Sequence, residues 1–314
     1  MPLDDDVIRY LEARAAEGDP PLGTVPVERL RDDDRTFFEG VPRAAVAEVR
    51  DLEIPGPAGP IPARLYHPAP GQAHPLLVLF HGGGFVFGDL ETHDPTARRF
   101  AAEGEVTVLS VDYRLAPEHP FPAGVDDAEA ATHWAVDHAA ELGADPGRGV
   151  VSGDSAGGNL AAVVALRLRD AGGPPLAGQL LIYPTTDMRA GDRHPSKREL
   201  AEGYGLSGHD MDWFGEQYIR NAEDLGRPDA SPLAADDLSG LPPAFVLTAE
   251  FDPLRDEGDA YAARLAEAGV PVEHVRLPGA IHGVQTIPER LRSGEELWRR
   301  SLAWLRRIVG GEAG

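Results

Sequence analysis

The sequence predicts an α/β protein: a mostly parallel sheet with helices on both faces. Two observations carry this. From residue 76 onward, short apolar runs alternate with stretches of helical periodicity. At 149–169 an apolar run passes through Gly153-Asp154-Ser155-Ala156-Gly157-Gly158 straight into an alanine-rich helical stretch. A strand that turns so sharply into a helix forces the serine at the bend into strained backbone geometry, with its hydroxyl outward. Residues two before and two after it, Gly153 and Gly157, must be small, because a Cβ at either place would clash. The serine also lies at a helix N-terminus, which favours negative charge.

In chain order, residues 7–17 and 27–38 carry two helical patterns with Pro20-Pro21 between them. Neither is apolar enough to form a core alone. Residues 46–52 and 61–66 alternate at period two around a Pro/Gly-rich turn, which reads as a β-hairpin. The run 76–80 is continuously apolar, as suits a strand covered on both faces, and it ends in His81-Gly82-Gly83-Gly84-Phe85. A helix at 96–103, a strand at 106–111 and a helix at 128–142 follow. After the serine bend comes a strand at 178–183. Residues 184–230 break the rhythm; they are irregular except for an amphipathic helix at 211–220. The alternation resumes with strand 244–248, helix 256–268, strand 272–277 and helix 289–309. Segments 1–45 and 184–230 are left over, and are expected to lie together over the C-terminal edge of the sheet, where ligands of open α/β sheets bind.

Composition narrows the function. With 314 residues the chain can bury a large core, and 42% hydrophobic residues is ordinary for a globular protein. The absence of cysteine excludes disulfides, thiolate metal sites and a Cys nucleophile. A net charge of −23 argues against nucleic acid and anionic membrane surfaces as partners. No run is long enough to span a membrane, and the acidic N-terminus lacks a signal-peptide pattern, so a cytoplasmic location is expected. Lys197 is the only lysine. Salt adaptation would explain that; codon bias explains it together with the abundant Ala, Gly and Pro.

A serine hydroxyl needs a base, and the base a third group to hold its tautomer. Of eleven histidines, His282 is best placed, after the strand at 272–277 and before the last helix. His274 lies within that strand and would face a helix layer, while His81 could support the glycine loop. The orienting acid should follow the strand at 244–248. Glu250 is close to its end, but Asp252 precedes Pro253, which keeps it extended and outside the helix, so Asp252 is preferred. Asp256, Glu257 and Asp259 fall on the helix as its acidic first turn. Gly82-Gly83-Gly84 can present backbone N–H groups to a developing oxyanion, and Ala156 adds the one after the nucleophile.

The motifs His81-Gly82-Gly83-Gly84, Asp112-Tyr113-Arg114-Leu115-Ala116-Pro117-Glu118, Gly153-Asp154-Ser155-Ala156-Gly157-Gly158, Asp252-Pro253-Leu254-Arg255-Asp256 and Ile281-His282-Gly283 together resemble the bacterial hormone-sensitive-lipase-like carboxylesterases. The resemblance runs in order from about residue 45 to the end. It implies the α/β-hydrolase fold, with a mostly parallel sheet of about eight strands and a helical cap. It also implies a triad of Ser155, Asp252 and His282, and an oxyanion hole from the N–H groups of Gly83, Gly84 and Ala156. The expected organisation is 1–45 and 184–230 as cap, 46–183 and 231–314 as core. The expected activity is hydrolysis of a small-molecule ester through an acyl-enzyme, by a monomer or homodimer that needs no cofactor. Trp213 and Phe214, side by side in the second cap segment, are expected to line an acyl pocket. An amidase or peptidase on the same fold is the alternative. A non-catalytic receptor is a further one, against which His282 argues, since the receptors that resemble this family lack that histidine.

Overall fold

The computed structural model describes residues 3–18, 20–189, 193–286 and 291–311. Two helices come first, α1 (Asp5–Glu17) and α2 (Val27–Glu39), then strands β1 (Glu48–Gly56), β2 (Gly59–His67) and β3 (His74–Phe80). Helix α3 (Asp94–Gly104), strand β4 (Thr107–Val111), helix α4 (Ala123–Asp137), strand β5 (Ala144–Asp154) and helix α5 (Ala156–Asp170) follow. Strand β6 (Gly178–Ile182) leads into two helices, α6 (Pro195–Glu199) and α7 (Gly208–Tyr218). The chain closes with β7 (Ala244–Phe251), α8 (Arg255–Glu267), β8 (Val272–Ile281) and α9 (Arg292–Val309).

The eight strands form one sheet in the order β1-β2-β4-β3-β5-β6-β7-β8. The hairpin β1–β2 is antiparallel and joins β4 antiparallel, while β4, β3, β5, β6, β7 and β8 run parallel. Along β3 the side chains alternate: Leu76, Val78 and Phe80 enter the core under α4, α5 and α8, whereas Leu77 and Leu79 enter the one under α3 and α9. Both faces are thus buried, which is why the strand reads as an unbroken apolar run. Among the described residues no helix is long and apolar enough to cross a membrane.

The differences from the expected elements have local causes. Helix α4 spans Ala123–Asp137, not 128–142. Pro122 stands at its start, where a missing N–H costs nothing, and residues 138–142 continue as turns that close at Gly143, with φ +65°. Strand β8 runs on to Ile281 through a register shift against β7, so Pro278-Gly279 are strand and not loop. Helix α6 was not expected at all. The last helix starts at Arg292; positions 289–290, expected to begin it, lie outside the described residues. Helix α7 starts where Ser207 and Asp210 cap it reciprocally, each side chain accepting the other's backbone N–H.

Four strand ends matter. Ser155 follows β5 directly, Asp252 follows β7, His282 follows β8, and the glycine loop follows β3. Parallel pairing brings all four to one edge of the sheet.

Candidate active site

Ser155 sits between β5 and α5 at φ +55°, ψ −117°, a left-handed conformation that a side chain disfavours. Its surroundings hold it there. The Ser155 N–H donates to the Ile182 carbonyl at 2.9 Å, and its own carbonyl accepts from the N–H groups of Asn159 and Thr185 at 3.1 and 3.2 Å. The small neighbours are required because the turn packs on the end of β3. A Cβ at Gly153 would fall 2.5 Å from the Phe80 carbonyl oxygen, and one at Gly157 would fall 2.6 Å from that of His81.

His282 Nε2 lies 2.9 Å from Ser155 Oγ, and Nδ1 lies 2.8 Å from Asp252 Oδ2. The other Asp252 oxygen accepts the Leu254 N–H at 2.8 Å, and the carboxylate is fully buried. A carboxylate only accepts, so Nδ1 carries the proton and Nε2 presents its lone pair to the serine hydroxyl. Burial opposes a charge on the His282 ring. The Asp252 carboxylate beside it, with Asp154 and Glu257 further off, outweighs this and holds the pKa above the ordinary 6.5.

The other candidate acids are engaged elsewhere. Glu250 accepts the Gly279 N–H at 2.8 Å, bracing β8. Asp256 accepts the Ser196 N–H of α6 at 2.8 Å. Glu257 is not a solvated first-turn acid; it is fully buried against Lys197, the sole lysine, at 2.7 Å. It also accepts the Thr186 N–H at 2.7 Å. Asp259 pairs at 2.8 Å with His274, whose ring turns to the helix layer and away from the serine. His81 stacks on Tyr113 with ring centroids 4.2 Å apart, and burial pushes its pKa down to about 4, so it stays neutral as a prop for the glycine loop.

In that loop Gly83 and Gly84 have φ +105° and +61°. Among the described residues their N–H groups donate to no acceptor. Ala156 opens α5, where its N–H is one of the helix's unpaired donors. Gly82 points the other way: its N–H donates to Asp154 Oδ1 at 3.1 Å. The same oxygen lies 3.2 Å from His93 Nε2. Burial works against both charges of this pair, but each group favours the ionised form of the other, so the Asp154 pKa is lowered and that of His93 raised. Sequence reasoning missed His93. Its position between a glycine loop and the next helix was the available signal.

Ser155, His282, Asp154, His93, Gly83 and Gly84 line a cavity of about 1380 Å³. Tyr10 and Leu11 of α1, Phe38 of α2 and Met211 and Phe214 of α7 form apolar parts of its wall, and Asp187, Arg189 and Lys197 a polar part. Phe214 therefore reaches the cavity. Trp213 does not line it; a Cβ on Gly23 would lie 3.0 Å from its indole ring. Consecutive residues of a helix point in different directions, and here Phe214 turns to the cavity while Trp213 turns to Gly23.

Residues 77–286 match a family described as the alpha/beta hydrolase fold. The carboxylic ester hydrolase LipN of Mycobacterium tuberculosis is 50% identical over 256 residues, covering 79% of this chain and 68% of that protein. Esterase LipI of the same organism is 45% identical over 304 residues, covering 92% and 93%. The solved hyperthermophilic esterase of the archaeon Pyrobaculum calidifontis superposes with a TM-score of 0.94 at 42% identity, covering 98% of this chain and 99% of that one. With the fold, the serine turn and these likenesses together, the chain belongs to the alpha/beta hydrolase fold family, among its hormone-sensitive-lipase-like carboxylesterases.

Proposed function

We propose that this protein hydrolyses short- to medium-chain carboxylic esters through an acyl-enzyme on Ser155. The observation that carries the reading is the continuous chain Ser155–His282–Asp252, with contacts of 2.9 and 2.8 Å, opening onto a cavity beside unengaged backbone donors. Ser155 Oγ attacks the ester carbonyl while His282 Nε2 takes its proton. The resulting oxyanion is stabilised by the N–H groups of Gly83, Gly84 and Ala156. His282 returns the proton to the leaving alcohol, and Asp252 stabilises the imidazolium between the two transfers. Water then adds to the acyl carbonyl, giving a proton to His282; collapse frees the acid and restores the serine hydroxyl. Each step uses side chains, backbone and water alone. The names of the relatives, carboxylic ester hydrolase and esterase, accord with this reading.

In the same reading, residues 1–45 and 184–230 form a cap over the site. His209 Nε2–H of α7 donates to the Leu22 carbonyl at 2.9 Å, which ties the two segments together. The cavity is large enough for long chains, so volume does not set the acyl limit. The wall is apolar at Leu11, Phe38, Met211 and Phe214 and polar at Asp187, Arg189 and Lys197. The reading takes a chain of roughly two to eight carbons as filling the apolar part, each methylene gaining about 0.8 kcal/mol by burial. A panel of p-nitrophenyl esters of rising chain length, matched anilides and a triglyceride emulsion tests this, with Ser155→Ala as control. Cleavage of the esters by the wild type alone is expected, falling off beyond the medium chains. Equal turnover of the anilides would make the protein an amidase, and undiminished activity of Ser155→Ala would remove the mechanism.

A further inference from the structure

The two glycines beside the cavity with Ser155 aim their N–H groups only as long as the loop keeps its shape, and that shape is held partly from within and partly from outside. The N–H groups of Val86 and Phe87 both donate to the Gly83 carbonyl at 3.0 Å, which closes a tight turn. Phe85 inside this turn holds φ +63°, a left-handed conformation that a phenylalanine keeps only when its surroundings dictate it. The Phe85 carbonyl accepts the Ala116 N–H at 2.9 Å, and against its ring stands α7. The Tyr218 ring lies parallel to that of Phe85, with centroids 3.8 Å apart and planes at 2°. One turn earlier on the same helix, Phe214 rests on Gly84 so closely that a Cβ there would come 2.5 Å from its Cγ. Phe214 also packs on Phe87 at 5.2 Å between centroids. Residues four apart share a helix face, so the two rings grip the loop side by side.

We propose that Tyr218 and Phe214 are positioning residues for the oxyanion-binding loop. On this view α7 clamps Gly84 and Phe85 and thereby aims the N–H groups of Gly83 and Gly84, so the helix that walls the cavity also governs the rate of the chemistry. The inference rests on the esterase reading above. It separates from plain packing through Tyr218, which does not line the cavity and whose ring is 1% exposed. Its hydroxyl has no hydrogen-bond partner among the described residues, so only the stacked ring matters. Loss of that ring removes no substrate contact; it frees Phe85 on one side and Phe121, 5.8 Å away between centroids, on the other, and binding of an oxyanion-mimicking inhibitor reads the part that passes through the loop.

The test uses the smallest substrate, p-nitrophenyl acetate, on the full-length protein. Loss of a whole oxyanion donor costs about 10²–10³ in kcat. Misaiming the donors through Tyr218→Leu is therefore expected to lower kcat about tenfold or more, with KM nearly unchanged, the signature of an interaction made in the transition state. Inhibition by a trifluoromethyl ketone, whose adduct with Ser155 carries the same oxyanion, should weaken in parallel. Tyr218→Phe should restore both. A folded Tyr218→Leu that keeps wild-type kcat and inhibition overturns the inference, as does a loss confined to KM, or a Tyr218→Phe as impaired as Tyr218→Leu. If Tyr218→Leu does not fold, Phe214→Leu reads the clamp from its other end, and unchanged kcat and inhibition there overturn it equally. A wild type that cleaves no ester would instead defeat the esterase reading, which keeps the two failures apart.

Discussion

Two histidine–aspartate pairs stand on either side of Ser155. His282 lies 2.8 Å from Asp252 beyond the end of β8, and His93 lies 3.2 Å from Asp154 at the start of α3. Both rings are held above the ordinary imidazole pKa, because a neighbouring carboxylate outweighs burial in each. What differs is the second nitrogen. That of His282 faces Ser155 Oγ at 2.9 Å; that of His93 lies 3.1 Å from Thr92 Oγ1. Asp154, unlike Asp252, spends its bond to the imidazole on an oxygen shared with the Gly82 N–H. Electrostatics alone would nominate either histidine as a base. On the proposed mechanism, geometry makes His282 the base and His93 a brace for the glycine loop.

Mutations should pull the two pairs apart. His282→Ala and Ser155→Ala are each expected to lower turnover by about 10⁴ or more. Asp252→Asn should lose on the order of 10⁴, because the wrong tautomer turns a donor toward the serine. Glu250→Gln should keep most of its activity, since Glu250 braces Gly279. Comparable losses at positions 250 and 252 would show that the third member is misassigned.

His93→Ala should be far milder. It acts on the loop through Asp154, so a loss of about tenfold is expected, below that of removing a donor outright. The buried carboxylate also loses a partner, which should destabilise the fold by about 1–3 kcal/mol in a denaturant titration. A loss at His93 equal to that at His282 would erase the distinction between base and brace.

The pH profile sharpens it further. Only the neutral ring accepts a proton, so activity should rise with pH through the raised His282 pKa, with half-maximal rate above 6.5. In Asp252→Asn, the residual rate should reach half-maximum at lower pH, because burial then acts with less opposition. A profile that is flat from about pH 5 to 8 would contradict the role of His282. The smallest effect is expected at Trp213. With its ring against Gly23 and outside the cavity wall, Trp213→Ala should leave the chain-length preference across the ester panel unchanged.

Much of this was legible in the sequence because it is local. A glycine two residues either side of a serine at a strand–helix bend is a steric demand, and the backbone of β3 imposes it at Gly153 and Gly157. Asp252 before Pro253 is a restriction on the chain itself, and it leaves the carboxylate free to turn sideways to His282. Unbroken apolar runs mark strands buried on both faces wherever those strands end up in the sheet. The strand order, by contrast, is a matter of packing, and so is every contact between parts distant in sequence. The link from His93 to Asp154 spans 61 residues, and that from Lys197 to Glu257 joins the only lysine to a carboxylate that reads as solvated until a buried partner is seen. Trp213 and Phe214 were indistinguishable as neighbours in the chain. Only the docked helix decided which ring meets the glycine loop, because both are aromatic and the surface the helix packs against selects between two adjacent directions.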